Sequence, residues 1–216
     1  SQTNAEVDGR WLFANANNTP RVARIDLKTF KTVEILELPN SAGNHSSPFL
    51  TENTEYVVAG TRFAVPMDDA NGDVPIDSFK ENFKGVLSFI GIDQQTGGMD
   101  LSFQIEAPGI NFDLSHAGKK KSGDWFFFSC YNSEKANTLL EVNASQNDKD
   151  FIMAVNWKKA AELVKAGKGR KVTTEYAHNT WDESTHSATS TMKKEVVVLS
   201  VEDMKDAMFM IPCPKS

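Results

Sequence analysis

Three times in this chain a run of apolar residues ends on an acidic or amide side chain and gives way to a turn or short helix. The phrases are "ARIDLKTFK", "SFIGIDQQTGG" and "IMAVNWKKA". The matching pairs are Ile25-Asp26, Ile92-Asp93 and Val155-Asn156, spaced by 67 and 63 residues. One strand group following another at such an interval suggests radial or stacked repetition, of which the β-propeller is the commonest form. A plain β-sandwich accommodates the same phrase.

The rest of the chain is short strands separated by turn chemistry. "GRWLFANA" (9–16) and "PRVARIDLKT" (20–29) form a first pair across the Asn/Thr/Pro turn at Asn17 to Pro20. "TVEILELP" (32–39) alternates apolar and polar residues, as a half-buried strand does. "EYVVAGTRFAVP" (55–66) leads into a polar loop with Asp68, Asp69 and Asp73. Residues 85–109 read as strand, turn and strand; "GDWFFFSCYN", "KDFIMAVNW" and "KEVVVLSVEDM" supply further strands. A helix is expected over "WKKAAELVKAG" (157–167), with Gly167 at its C-terminal end. Three strand groups leave two open sheet edges, which β proteins rarely tolerate, so the chain reads as a piece of a larger protein.

A net charge of −6 without a concentrated basic face argues against nucleic acid as a partner. The apolar stretches are strand-length, so none is expected to cross a membrane. Two cysteines, Cys130 and Cys213, with no CxxC pair exclude a disulfide framework in a chain of this size; a single bridge stays open, and isolated thiols are the plainer reading.

Few residues suggest chemistry. His45, in "PNSAGNHSSPFLTEN", stands in a loop of small residues where a metal could approach; a surface-loop histidine is the plainer reading. His116 reads as a turn residue. His178 and His186 bracket Asp182 and Glu183, but their spacing matches no trusted ligand pattern, and a polar loop is expected there. Neither G-x-S-x-G, a Walker loop nor H-E-x-x-H is present. The aromatic strand "DWFFF" ends in "SCYNSEKAN". The Tyr131 carbonyl, the Glu134 carboxylate and the downstream Asp148 and Asp150 could serve a hard cation such as calcium, which takes six to eight oxygens. A solvated turn with a Glu134–Lys135 pair fits equally well.

"DGRWLFANANNTPRVARIDL", "GNHSSPF", "CYNSEKA" and "AELVKAG", in this order, resemble the propeller domain of the nitrous oxide reductase family over essentially the whole chain. The "GNHSSPF" loop and the long 68–84 insertion look more like the second, less-studied branch of that family. The resemblance implies an all-β fold, with residues 1–216 forming about three blades of a seven-bladed propeller and one helix inserted. It implies reduction of nitrous oxide to dinitrogen and water at a four-copper sulfide cluster held by seven histidines. A cupredoxin domain with a binuclear copper centre would lie outside this chain. Only His45 can be carried over as a cluster ligand, so the fragment alone is not expected to be active. Calcium would be held by the Tyr131 carbonyl, Glu134 and Asp150, with Asp148 as the other candidate. Implied partners are nitrous oxide, a small electron-donor protein such as a cytochrome or cupredoxin, and a second copy in a head-to-tail homodimer. The implied compartment is the periplasm. Two rivals remain at this point: a calcium-dependent propeller hydrolase using Glu134 and Asp150, and a non-enzymatic propeller scaffold.

Overall fold

A computed structural model describes residues 2–7, 9–15, 20–39, 49–51, 53–60, 85–107, 112–115, 124–130, 151–179, 184 and 190–212. The first four strands, β1 (Gln2–Val7), β2 (Trp11–Asn15), β3 (Arg21–Asp26) and β4 (Lys31–Glu37), pair in sequence order as an antiparallel meander. The next four, β5 (Phe49–Leu50), β6 (Tyr56–Gly60), β7 (Gly85–Ile92) and β8 (Met99–Ala107), repeat that meander. A third unit is built from β9 (Phe112–Ser115), β10 (Trp125–Cys130), β11 (Phe151–Asn156) and β14 (Met208–Pro212). Between β11 and β14 the chain makes helix α1 (Trp157–Lys165) and a long hairpin, β12 (Arg170–Asn179) and β13 (Thr191–Leu199). β1 lies against β5, and β6 against β9. Three successive four-stranded units set side by side in this way are propeller blades, and the fold is part of an all-β propeller, as the recurring phrase suggested.

The second unit is covered on both sides, which explains why its strands are almost continuously apolar. Val58, Leu87, Phe89, Phe103 and Ile105 pack with Phe126, Phe128, Met153 and Val155 of the third unit. Val57, Ala59, Ile90, Ile92 and Leu101 pack with Trp11, Phe13, Val22 and Leu36 of the first. Phe89 and Phe103 stack at 4.4 Å between centroids, and Phe126 reaches Phe89 at 6.1 Å. The aromatic run of β10 divides by period two: Phe126 and Phe128 are fully buried, while Trp125 and Phe127 take the other face. That other face of the third unit stays apolar and open, with Ile152, Phe209 and Ile211 exposed and Trp125 against Phe209 at 5.6 Å.

The three strand-ending Asp/Asn residues share one position and one job. Each stands where the third strand of its unit ends and the chain sets out toward the fourth. Asp26 Oδ1 accepts hydrogen bonds from the Lys28 and Thr29 N–H groups at 2.7 and 3.3 Å. Asp93 Oδ1 accepts from the Gln95 and Thr96 N–H groups at 2.9 and 2.7 Å and from the Thr96 hydroxyl at 2.9 Å. The Thr96 N–H and hydroxyl, followed by the Gln95 N–H, hold the Asp93 carboxyl below its ordinary value. Asn156 Oδ1 accepts from Lys159 N–H at 2.9 Å and caps α1. A short polar side chain satisfies the first free N–H groups of a turn or helix, and such a cap stabilises by about 1 kcal/mol. The helix ends at Ala166, and Gly167 follows in the left-handed region (φ 77°), as its sequence position implied. Trp157, Ala160 and Ala161 are its buried residues.

One expectation is corrected here. The stretch around His178 reads as polar loop, but residues 170–179 form β12, whose neighbours are β13 and β4. The hairpin joins the fourth strands of the first two units, giving the order β1-β2-β3-β4-β12-β13-β8-β7-β6-β5. β12 alternates weakly because one of its faces is in solvent, and of its described side chains only Tyr176 is fully buried.

Candidate functional site

Among the described residues, the densest polar constellation lies where β4, β8 and β12 meet. Its centre is Glu34, on β4 and nearly buried. Arg24, the register partner of Glu34 on β3, places its Nε 2.8 Å from Glu34 Oε2. The Met99 N–H, at the start of β8, donates to both carboxylate oxygens at 3.0 and 3.2 Å. His178 Nε2, from β12, lies 2.7 Å from Oε1, with side-chain exposures of 15% and 11% for the pair. Because an ionised carboxylate only accepts, Nε2 carries the hydrogen. The Nδ1 atom is buried and has no hydrogen-bond partner among the described residues.

Burial alone pushes the Glu34 carboxyl up. The hydrogen bonds from His178, Met99 and Arg24, with the Arg24 charge, outweigh it and hold the group below its ordinary value. Arg24 also donates from Nη1 to the Thr96 carbonyl at 3.0 Å and lies 4.2 Å over the Trp11 ring, with Arg10 at 4.5 Å from the same ring. The network thus binds the first unit, the turn of the second and the hairpin into one junction. It holds no nucleophile, and its only carboxylate is spent on three donors. Its chemistry is that of a fastened joint.

A second polar tie crosses the same seam. Gln104, fully buried on β8, donates to the Pro39 carbonyl at 2.9 Å and to the Ser88 hydroxyl at 3.0 Å. An open depression of about 510 Å³ beside the second unit's turn presents Glu55, Asp93 and Asp100. Asp93 is used by its own turn, and Asp100 pairs with Lys194 at 2.6 Å.

The residues the sequence singled out for metals fall elsewhere. His45, Tyr131, Glu134 and Asp150 lie outside the described residues, as do Asp148, His116, His186 and Cys213. Among the described residues no group of three or more His, Cys, Asp and Glu side chains could hold a metal ion. His178, the one described histidine, is taken up by Glu34. Nor is any helix of the described residues long and apolar enough to cross a membrane. Sequence reasoning missed the Glu34 junction because its members lie as far as 144 residues apart. The available signals were a carboxylate near the middle of an otherwise half-buried strand and a histidine following Tyr176 by two, on the same strand face.

Fold and junction together define the chain as a run of propeller blades, cross-tied at the seam between the first two. No protein-family profile matches it. Among curated proteins it is 32% identical over 169 residues to the nitrous-oxide reductase of Pseudomonas fluorescens, covering 78% of this chain and 25% of that protein. It is 30% identical over 168 residues to the nitrous-oxide reductase of Stutzerimonas stutzeri, covering 77% of this chain and 25% of that protein. The matched stretch is similar to nitrous-oxide reductases at the level expected of a fragment of that family, and the chain spans about a quarter of the length of these relatives.

Proposed function

We propose that this chain is the propeller segment of a copper enzyme that reduces nitrous oxide to dinitrogen and water with two electrons and two protons. The observation that carries the reading is the 32% identity over 169 residues to a protein named nitrous-oxide reductase. In this reading residues 1–216 are a partial propeller domain, and a cupredoxin domain with a binuclear copper centre belongs to the parent protein. The open apolar face of the third unit supports that assignment, since a following blade would cover Ile152, Phe209 and Ile211.

His45 would be the copper ligand contributed by this chain. It belongs to the connection that leaves the fourth strand of the first unit and enters the first strand of the second. Imidazole suits copper, and ligands delivered from successive blades can converge on one site. When loaded, the cluster supplies the electrons that so inert a substrate requires. Calcium would be held by the Tyr131 carbonyl, Glu134 and Asp150. Cys130 and Phe151 are register partners, so the chain leaves β10 after Cys130 and enters β11 at Phe151 from one end of a single strand pair. That pairing favours Asp150, adjacent to Phe151, over Asp148. Carboxylate and carbonyl oxygens are the donors calcium takes. The parent is read as a periplasmic head-to-tail homodimer that receives electrons from a small cytochrome or cupredoxin.

The test is metal analysis and nitrous oxide reduction by the full-length protein and its His45→Ala variant. The expected result is several coppers and calcium per chain, with cluster copper and activity lost in the variant while the binuclear centre keeps its absorption. Calcium without copper would instead indicate a hydrolase, and a metal-free, inactive protein a scaffold.

A further inference from the structure

The hairpin belongs by sequence to the third unit, yet it is spent on the first two. β12 and β13 pair with each other at eight positions, Arg170 to Ala177 against Val198 to Thr191. Among the described residues their hold on the blades is thinner. There β12 meets β4 at two positions, His178 opposite Leu36 and Asn179 opposite Ile35. β13 meets β8, in parallel, at three positions from Val197 to Leu199. Two ion pairs strengthen the β8 side: Lys194 with Asp100 at 2.6 Å and Arg170 with Glu106 at 2.5 Å. Lys194, Asp100 and Arg170 keep much of their contact with solvent, and exposed pairs contribute little. On the β4 side the tie is the near-buried His178–Glu34 bond, made at the carboxylate that also accepts the Met99 N–H of β8.

We propose that the β12–β13 hairpin is a strap across the seam between the first two units, and that His178 with Glu34 is its clasp. The clasp fixes three separate chain segments at one carboxylate. With it made, the fourth strands of both units are covered and Tyr176 is sealed in the inter-unit core. With it broken, the β12 end of the strap loosens and the seam opens locally while each four-stranded unit keeps its own ladders. Local opening of this kind is expected where few cross-strand bonds hold an element in place. The strap does not depend on the metal reading, since that reading assigns none of the strap's described residues to a metal.

Hydrogen exchange read by mass spectrometry on the full-length protein tests this, comparing the parent with His178→Ala and His178→Gln. In His178→Ala the peptides covering residues 174–179, 34–36 and 99–101 are expected to exchange at least tenfold faster. Those covering β10 and β11 should be unchanged. His178→Gln keeps a side-chain donor and is expected to recover most of the protection, and it serves as the informative variant should the alanine form fail to fold. Unchanged exchange in the strap peptides of both variants would overturn the proposal. An equal acceleration across all three units would also overturn it, because the histidine would then support global stability and hold no local strap.

Discussion

The first and second units contain the same turn, and it has met two different fates. In each, an aspartate ends the third strand, and four residues later an N–H returns to that aspartate's carbonyl: Phe30 to Asp26 at 2.7 Å and Gly97 to Asp93 at 2.8 Å. The closing residue adopts positive φ in both, 55° at Phe30 and 73° at Gly97. The second turn is docked beneath the first unit, and a Cβ built on Gly97 would stand 2.4 Å from Trp11 Nε1. The first turn projects into solvent, with Phe30 80% exposed. Hydrogen bonding sets the conformation of the turn; what lies above it selects the residue. A bulky side chain in the left-handed region is disfavoured by roughly 1–2 kcal/mol, and only the unroofed turn leaves room for one.

The largest way to break this contrast is to undo the docking of the second turn. Glu34 binds the Met99 N–H two residues past Gly97, so Glu34→Ala should leave Arg24, His178 and that N–H without their acceptor. A loss of about 3–5 kcal/mol is expected in urea unfolding at neutral pH, the range for stripping one partner from a buried pair. The pH dependence has a definite sign. The folded-state carboxyl lies below its ordinary 4.5, so its contribution is fully present above 4.5 and is lost as pH falls through the folded value. The gap between parent and variant should therefore narrow in acid, and a gap that widened there would contradict an ionised Glu34.

Next in size is Gly97→Ala, which combines positive φ with a clash against Trp11. About 3 kcal/mol of destabilisation is expected, together with a changed Trp11 emission, by thermal unfolding and fluorescence. A loss below about 1 kcal/mol would mean that Trp11 swings aside freely and that the roof is soft. The smallest effect has the opposite direction. Phe30→Gly relieves the strain of the first turn but frees the unfolded chain, and a net gain of about 0.5–1 kcal/mol in unfolding free energy is expected. Stability lost at this position would show that Phe30 packs in the folded protein.

What the sequence revealed, and what it withheld, follows from range. β4 is the expected strand, but Glu34, Ile35 and Leu36 are buried in succession, on both of its faces. Asp26, Asp93 and Asn156 each act within three residues of themselves, so the turns could be read locally. The interval between those three residues even carried the blade repeat. β12 escaped because a strand laid along the outside of two blades needs little apolar surface, and "KVTTEYAHN" shows little. The Glu34 junction escaped for a different reason. A buried carboxylate is stable only once its donors arrive, and here Arg24 is a hairpin neighbour while Met99 and His178 come from 65 and 144 residues away. The expected copper ligand His45 rests on motif resemblance, and the calcium set of Tyr131, Glu134 and Asp150 on that resemblance together with the oxygen-bearing residue types of its stretch; all four lie outside the described residues.

The placement of the hairpin also has a cost in time. β4 and β8 are complete by Ala107, but β12, which covers β4, begins at Arg170, and β13, which covers β8, ends at Leu199. A ribosome adding 5–20 residues each second needs on the order of several seconds to cross that interval. Through those seconds the nascent chain carries two finished blades with both outer edges unpaired, the state in which β proteins are most prone to join a neighbour. Long-range pairing of this kind slows folding as well, because the loop must close before the contacts reward it. The hairpin that seals the mature seam is therefore also the last element to reach the edges it protects.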